Sequence, residues 1–137
     1  MLKECVLKYY TEQNYNCAES ISRGANEYYD LGLGEEALRL LGGFGGGCCS
    51  GRLCGACAGA VAILSEKYIL TKAHQEEAAR DHVRDFMEAF METLGSDLCT
   101  ELKEKYWDDK RDAAKCIRTV EMAADLLEQK IREYEKQ

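Results

Sequence analysis

The sequence predicts an all-α protein: a five- to six-helix bundle with a central Gly/Cys-rich loop, formed as one helical, Cys-rich domain over residues 1–137. Three observations favour this fold class. Proline is absent from all 137 residues. Glu, Lys, Ala and Leu are abundant while runs of β-branched residues are few, which favours helices over strands. Apolar residues recur every three or four positions along much of the chain, as on the buried face of a helix.

The N-terminal third of the chain contains signals for three helices. Apolar residues within the first ten positions recur at helical spacing and predict a short first helix. Asn14 or Asn16 can cap a second helix, whose apolar face begins at Cys17 and which ends at Gly32. A third, short helix is predicted over residues 35–41.

Three further helices are predicted after the centre of the chain. One begins near Gly55 with two turns of almost entirely small residues, which allow another backbone or a cofactor to approach closely. A long amphipathic helix runs from about Thr71 to Leu94, and Gly95 is suited to end it. Ser96 can then cap a short helix.

The last predicted helix starts near Asp108 or Asp109 and carries apolar residues in alternating steps of four and three. This spacing is typical of a coiled-coil seam. The seam either packs in the core of the bundle or forms a homodimer contact, and the pattern is compatible with both. Its members are Ala113, Ile117, Val120, Ala124, Leu127, Ile131 and Tyr134.

The composition changes abruptly in the centre, where residues 42–59 hold eight of the twelve glycines and four of the eight cysteines. A phosphate-binding loop is not predicted, because the preceding segment is helical and no Gly-Lys-Ser/Thr sequence ends the glycine run. The glycines instead leave backbone N–H groups free to hydrogen-bond thiolate or sulfide. Gly45, Gly46 and Gly47 are therefore candidate cofactor-binding residues.

Cys54 and Cys57 form a CxxC motif at the predicted start of a helix. The unpaired N–H groups and the positive dipole end of a helix N-terminus lower a thiol pKa, so both residues are candidate catalytic cysteines for thiol–disulfide chemistry. With Cys49 they also show the C-x4-C-x2-C spacing of plant-type ferredoxins. Haem attachment is not predicted, because the motif is followed by Ala58 and not by histidine. The segment therefore suits either a reactive dithiol or the ligands of a metal centre.

The chain also resembles a known family over most of its length. The matching elements are Asn-Cys-Ala-Glu at residues 16–19, Gly-Phe-Gly-Gly-Gly at 43–47, Cys-Gly-Ala at 54–56 with a glycine at 59, and two later cysteines. Together they are similar to the C_GCAxxG_C_C family of redox-active proteins, although this chain reads Cys-Gly-Ala where the family label reads Gly-Cys-Ala. The resemblance implies that four defining cysteines act together, and as metal ligands they would be Cys17, Cys54, Cys99 and Cys116.

Three functions are compatible with these patterns. The first is an electron carrier whose four family cysteines bind an iron–sulfur cluster or another metal. The second is a thiol–disulfide redox protein that needs no cofactor and uses Cys54 and Cys57, with a resolving partner such as Cys17, Cys99 or Cys116. The third is a non-enzymatic helical interaction module, either stabilised by zinc or purely helical. For the first two functions, the expected partner is a redox protein, and the chain is either an oxidoreductase or an electron carrier.

Charge and hydropathy limit the partners and the cellular compartment that the sequence predicts. The 25 acidic and 18 basic residues give a net charge of −7, which argues against a nucleic-acid partner. The longest weakly polar stretch, Leu53 to Leu64, is about twelve residues long, whereas a membrane span needs about twenty. The first fifteen residues contain no apolar core of a signal peptide. The sequence thus predicts a cytoplasmic protein, in which thiols stay reduced unless they are catalytic or bind a metal.

Overall fold

The computed structural model describes residues 1–110 and 115–136. Within these residues the chain forms seven α-helices and no β-strand, which confirms the predicted all-α class. The structure has more helices than the five to six expected for the bundle. The difference lies in two short helices of 5 and 8 residues, each of which occurs where the sequence signals a helix. None of the described helices is both long and apolar enough to cross a membrane. The helices are α1 (Leu2–Leu7), α2 (Cys17–Tyr28), α3 (Glu35–Arg39), α4 (Gly55–Tyr68), α5 (Glu77–Leu94), α6 (Cys99–Tyr106) and α7 (Ile117–Glu135).

Short helical turns connect these elements. A π-helical turn over Lys8–Glu12 extends α1, and a 3₁₀ turn over Ala73–Gln75 precedes α5. The central Gly/Cys-rich segment differs from the single irregular loop that was predicted. It forms a 3₁₀ turn over Gly42–Phe44 and a π-type turn over Gly47–Gly51, and the second of these contains left-handed residues.

The hydrophobic core lies between α1, α2, α4, α5 and α7. Phe86 and Phe90 of α5 are fully buried, and their rings lie 6.0 Å apart. Leu64 of α4 and Leu127 of α7 are buried in the same cluster. Burial of side chains of this size contributes roughly 1.5–3 kcal/mol each to folding, so the packing of long helices around α4 is the main source of stability.

Helices α2 and α4 approach each other closely at small residues. A Cβ atom built on Gly59 of α4 would lie 2.7 Å from the carbonyl oxygen of Ala18 on α2, closer than real contacts allow. The small residues at the start of α4 therefore do admit a neighbouring backbone, as the sequence predicts. This contact brings the N-termini of α2 and α4 side by side.

The apolar seam of the last helix lies inside the chain. Helix α7 begins at Ile117, later than predicted, and before it the backbone N–H of Asp108 donates to the carbonyl oxygen of Lys115 (3.0 Å). From Ile117 to Tyr134, every seam residue is at most 9% exposed. This part of the seam is core and is not free to form a homodimer contact. The predicted seam residue Ala113 lies outside the described residues.

Candidate functional site

Four cysteines that are far apart in the sequence line one small cavity of about 20 Å³. Two of them, Cys54 and Cys99, are buried, and the other two are half-buried. The structure therefore brings the four family cysteines to one place, while their chemical role stays a prediction. We call this space the four-cysteine cavity, and its lining consists of Cys17, Cys54, Cys99, Cys116, Gly55, Leu102, Lys103 and Thr119.

Each of the four cysteines stands at the N-terminus of an α-helix. Cys17 and Cys99 are the first residues of α2 and α6. Cys54 and Cys116 are the N-cap residues of α4 and α7. Four helices therefore present their N-terminal N–H groups and positive dipole ends near one cavity. This arrangement favours negative charge on the sulfur atoms or on a group held between them.

A capping box fixes the start of α2, and with it the position of Cys17. The side chain of Asn16 accepts a hydrogen bond from the backbone N–H of Glu19 (2.9 Å), and the Glu19 carboxylate accepts one from the Asn16 backbone N–H (3.0 Å). The Asn16 side-chain amide also donates to the carbonyl oxygen of Gly42 (3.0 Å). Of the two asparagines that were predicted as caps, Asn16 is therefore the cap, and it ties α2 to the central segment.

Backbone hydrogen bonds hold Cys54 and Cys99 next to each other. The N–H of Cys54 donates to the carbonyl oxygen of Asp97 (2.7 Å), and the N–H of Cys99 donates to that of Arg52 (2.6 Å). Between these bonds, residues 53 and 98 form a short antiparallel bridge. The segments before α4 and α6 are thus paired like two short strands, which places the starts of both helices at the cavity.

The fourth cysteine is positioned through a tyrosine. The backbone N–H of Cys116 donates to the hydroxyl oxygen of Tyr10 at 3.2 Å. Burial raises the pKa of Tyr10 above its ordinary range, and the neighbouring Cys116 adds to the rise, so the hydroxyl is protonated. Tyr10 therefore links the N-terminal π-helical turn to the start of α7.

The three glycines predicted as cofactor-binding residues each contact a different residue at or near the cavity. The backbone N–H of Gly46 is near the sulfur of Cys17 and lowers the pKa of that thiol against the larger effect of burial. A Cβ atom on Gly47 would lie 2.7 Å from the Cβ of Cys99, so Gly47 is packed against that residue. A Cβ atom on Gly45 would instead overlap the Asn16 side chain. Their contact with a cofactor stays a prediction.

The lowered thiol pKa that the helix-start position predicted for Cys54 is wrong. Burial raises the pKa of the Cys54 thiol to about 12, and this outweighs the opposing hydrogen bonds from the N–H groups of Cys57 and Ala56. Burial also raises the pKa of Cys17 and of Cys116, and neighbouring cysteines add to both rises because thiolates repel each other. The cavity therefore favours neutral thiols until a positive charge enters it.

Cys57 lies outside the four-cysteine cavity. Its thiol is buried one turn into α4 and donates to the sulfur of Met87 at 3.4 Å. Burial raises the pKa of Cys57, and the nearby Cys54 and Asp97 raise it further. The second cysteine of the CxxC motif thus packs toward α5, while the first faces the cavity. Its predicted catalytic role is not tested by this placement.

The remaining cysteines lie on other surfaces. Cys5 is on α1, where its thiol is close to the Glu27 carboxylate. Cys48 and Cys49 are exposed on the π-type turn. All eight cysteines are free thiols in the structure.

Two residues of the site were missed by the sequence analysis. Lys103 lines the cavity, and its positive charge lowers the pKa of Cys116 against the effect of burial. It follows Cys99 by four residues on α6, a spacing that places both on one helix face and could have revealed it. The role of Tyr10 could not be predicted from local spacing, because its contact with Cys116 joins residues that are far apart in the sequence.

The described side chains do not form a complete metal-binding site. Residues 1–110 and 115–136 contain no group of three or more His, Cys, Asp or Glu side chains that could hold a metal ion. The donor set itself, four thiols, is of the kind that binds zinc and iron–sulfur clusters. Metal binding would therefore require these side chains to move closer together.

Comparison with other proteins identifies the family to which this chain belongs. No curated protein and no solved structure gives a match. A family model described as "Putative redox-active protein (C_GCAxxG_C_C)" matches residues 15–130, a range that contains all four cysteines of the cavity. Because the match covers most of the chain, this protein belongs to the C_GCAxxG_C_C family.

Proposed function

We propose that the four-cysteine cavity is the redox centre of this protein and that the chain carries electrons through a metal group held there. The group would be an iron–sulfur cluster or another redox-active thiophilic metal, with Cys17, Cys54, Cys99 and Cys116 as its ligands. The observation that carries the proposal is the position of these four cysteines, from four separate helix N-termini, around one cavity. Membership of a redox family supports the same chemistry.

The number of cysteines favours a metal over a simple dithiol. A disulfide needs only two thiols, whereas four-thiolate sites are usual for iron–sulfur clusters and for structural zinc. When bound, an iron–sulfur cluster supplies reversible electron transfer that the side chains alone cannot provide. The contribution of this chain is to supply the four sulfur atoms and the surrounding N–H groups.

Electrostatics support the same conclusion. The raised pKa of Cys54, about 12, makes its free thiol a poor nucleophile near neutral pH, because the thiolate is the reactive form. A bound cation offsets the repulsion among thiolates and so removes the main obstacle to their ionisation. The backbone N–H of Gly46, which is near the sulfur of Cys17, is the kind of group that tunes sulfur ligands.

A second candidate is cofactor-free thiol–disulfide chemistry. It is favoured by the free state of all eight cysteines and by the lack of a finished metal site among the described side chains. Two thiols would form one disulfide, and the two electrons and two protons would pass to an external disulfide, which becomes two thiols. Cys54 is the thiol of the CxxC motif that faces the cavity, with Cys57 as its predicted partner.

In either case we propose a redox protein as the partner that donates or accepts electrons. We place the protein in the cytoplasm, where a chain with eight free thiols stays reduced. A homodimer is compatible with this role, but it must use a surface other than the seam of α7, which is buried.

Purification without oxygen tests the proposal. The protein is analysed for iron, acid-labile sulfide and zinc, and its visible spectrum is recorded. We expect a coloured iron protein, and we expect Cys54→Ser to lose the bound metal while the control Cys5→Ser keeps it, because Cys5 lies on α1 away from the cavity. Metal-free protein with a titratable dithiol would support the second candidate. Metal that survives Cys54→Ser would place the centre elsewhere.

A further inference from the structure

The turn at residues 46–51 lies next to two of the cysteines that line the four-cysteine cavity. Gly47 packs against the Cβ of Cys99, and the backbone N–H of Gly46 is near enough to the sulfur of Cys17 to lower the pKa of that thiol against the effect of burial. At its far end, a Cβ atom on Gly51 would lie 2.6 Å from Cγ2 of Thr100. The turn is therefore in direct contact with the starts of α2 and α6.

This turn contains two cysteines where the backbone favours glycine. Four consecutive residues have positive φ angles: Gly46 (64°), Gly47 (65°), Cys48 (58°) and Cys49 (57°). Glycine tolerates this left-handed conformation without strain, whereas a residue with a Cβ atom is disfavoured there. The turn uses glycine at its first two positions and at residue 51, so cysteine at the two middle positions needs a separate reason.

Packing does not supply that reason. The side chains of Cys48 and Cys49 are exposed, and neither forms a disulfide. Among residues 1–110 and 115–136, the hydrogen bonding of these two thiols is limited to a weak contact of 3.9 Å from Cys49 to the carbonyl oxygen of Gly43. Two neighbouring solvent-facing thiols, on strained backbone in a turn that packs against Cys99 of the cavity, point to a role that depends on sulfur chemistry.

We infer that Cys48 and Cys49 form an uptake site for a thiophilic metal ion, which passes from them to the four-cysteine cavity. This inference rests on the proposed function, because it requires the cavity to be a metal centre. Two thiols bind a divalent ion with release of two protons, and no electron is transferred. The ion then moves by ligand exchange to thiols such as Cys99, whose protons replace the metal on Cys48 and Cys49.

The difference in ligand number gives the transfer its direction. Two exposed thiolates hold an ion less firmly than four thiolates in a buried site, so the ion gains ligands as it moves inward. The path is short, because Gly47, the residue before Cys48, touches Cys99. Without the pair, a hydrated ion would have to reach the buried Cys54 and Cys99 directly.

The uptake of one equivalent of Cd²⁺ by the metal-free full-length chain tests the inference. Cadmium–thiolate absorption in the ultraviolet reports both the rate of binding and, by its final intensity, the number of sulfur ligands. We expect C48S/C49S to reach the same final intensity as the unchanged chain but about tenfold more slowly, as for an activation barrier raised by about 1.4 kcal/mol. The matched control C5S should keep the original rate. Equal rates for C48S/C49S and the unchanged chain would overturn the inference.

A glycine variant separates metal uptake from backbone effects. C48G/C49G removes both thiols and also relieves the left-handed strain, so its midpoint of chemical denaturation should rise. Its uptake of Cd²⁺ should nevertheless be as slow as that of C48S/C49S. If C48G/C49G instead takes up Cd²⁺ at the original rate, the slowing comes from the backbone and the inference is wrong.

The variant C54S distinguishes failure of this inference from failure of the proposed function. We expect C54S to lower the final intensity, because it removes a ligand of the cavity. If C54S has no effect while C48S/C49S abolishes binding, the exposed pair is itself the final site, and both proposals fail. If C54S lowers the intensity and C48S/C49S leaves the rate unchanged, only the uptake inference fails.

Discussion

The sulfur of Cys17 rests directly on Gly55. A Cβ atom built on Gly55 would lie 2.5 Å from Cys17 Sγ and 2.8 Å from the carbonyl oxygen of Phe44. The glycine that follows Cys54 is therefore required for the close approach of α2 and the central segment to α4. This contact explains why the Cys-Gly-Ala sequence serves the four-cysteine cavity: any larger residue at position 55 would push Cys17 away from Cys54.

Replacing Gly55 by alanine should destabilise the protein and disturb the cavity. We expect a loss of about 1–3 kcal/mol in the free energy of unfolding, the usual cost of overpacking. Chemical denaturation measures this loss. The control is Gly43→Ala in the neighbouring 3₁₀ turn, where an added Cβ would meet nothing within 4 Å. A Gly55→Ala variant as stable as Gly43→Ala would contradict the contact.

Removing the N-cap of α2 should weaken the link between this helix and the central segment. Asn16→Ala loses the hydrogen bond from Glu19 N–H and the one to Gly42. We expect the free energy of unfolding to fall by about 1 kcal/mol or more. Asn14→Gly is the comparison, because Asn14 has a φ of 60° that glycine tolerates and it does not cap the helix. Equal losses for the two variants would show that Asn16 does not act as the cap.

Stability in acid should depend on Tyr134. Its hydroxyl donates to Asp85 (2.7 Å), and this bond, together with Lys130, holds the pKa of Asp85 below its usual value. A lowered folded-state pKa stabilises the protein above the ordinary aspartate pKa, and the stabilisation is lost as the pH falls through the lowered value. The stability difference between the unchanged chain and Tyr134→Phe should therefore stay constant above about pH 5 and shrink as the pH falls below about 4, the ordinary aspartate pKa, towards the lowered folded-state value.

Denaturation of both proteins at a series of pH values measures this effect. Tyr29→Phe is the matched control, because the buried hydroxyl of Tyr29 has no hydrogen-bond partner within the part of the chain that the structure describes. We expect it to be at least as stable as the unchanged chain at every pH tested. If the difference for Tyr134→Phe stays constant down to the acid transition, the bond to Asp85 does not account for the lowered pKa.

In the reduced, metal-free protein, exposed cysteines should be alkylated faster than buried ones. We expect iodoacetamide to modify Cys48 and Cys49 rapidly near neutral pH, because both side chains are exposed. The buried Cys54 and Cys57 should react only after addition of denaturant. Mass spectrometry of the digested protein identifies the modified residues. Rapid modification of Cys54 in the folded protein would show that the cavity opens to solvent.

The helices of this protein could be predicted because their signals are local. The spacing of apolar residues identified the amphipathic helices α5 and α7, and Gly95 ends α5 with a φ of 88°, as expected for a glycine at this position. The candidate cysteines at helix starts could also be identified, since capping residues and helix periodicity act within one or two turns. Whether the α7 seam faced the core or a second chain could not be decided, because both bury the same residues.

The sequence by itself determined the helical class, the chemistry of the thiols and the positions of Cys17, Cys54, Cys99 and Cys116 near helix starts. Only the tertiary structure decided that these four cysteines meet at one cavity, because that depends on contacts such as Gly59 with Ala18. The tertiary structure also makes the pKa of Cys54 higher than its ordinary value, whereas the sequence predicted a lower one. The favourable dipole of a helix end is a local property, whereas the larger cost of removing a thiolate from water is set by every segment that packs around it.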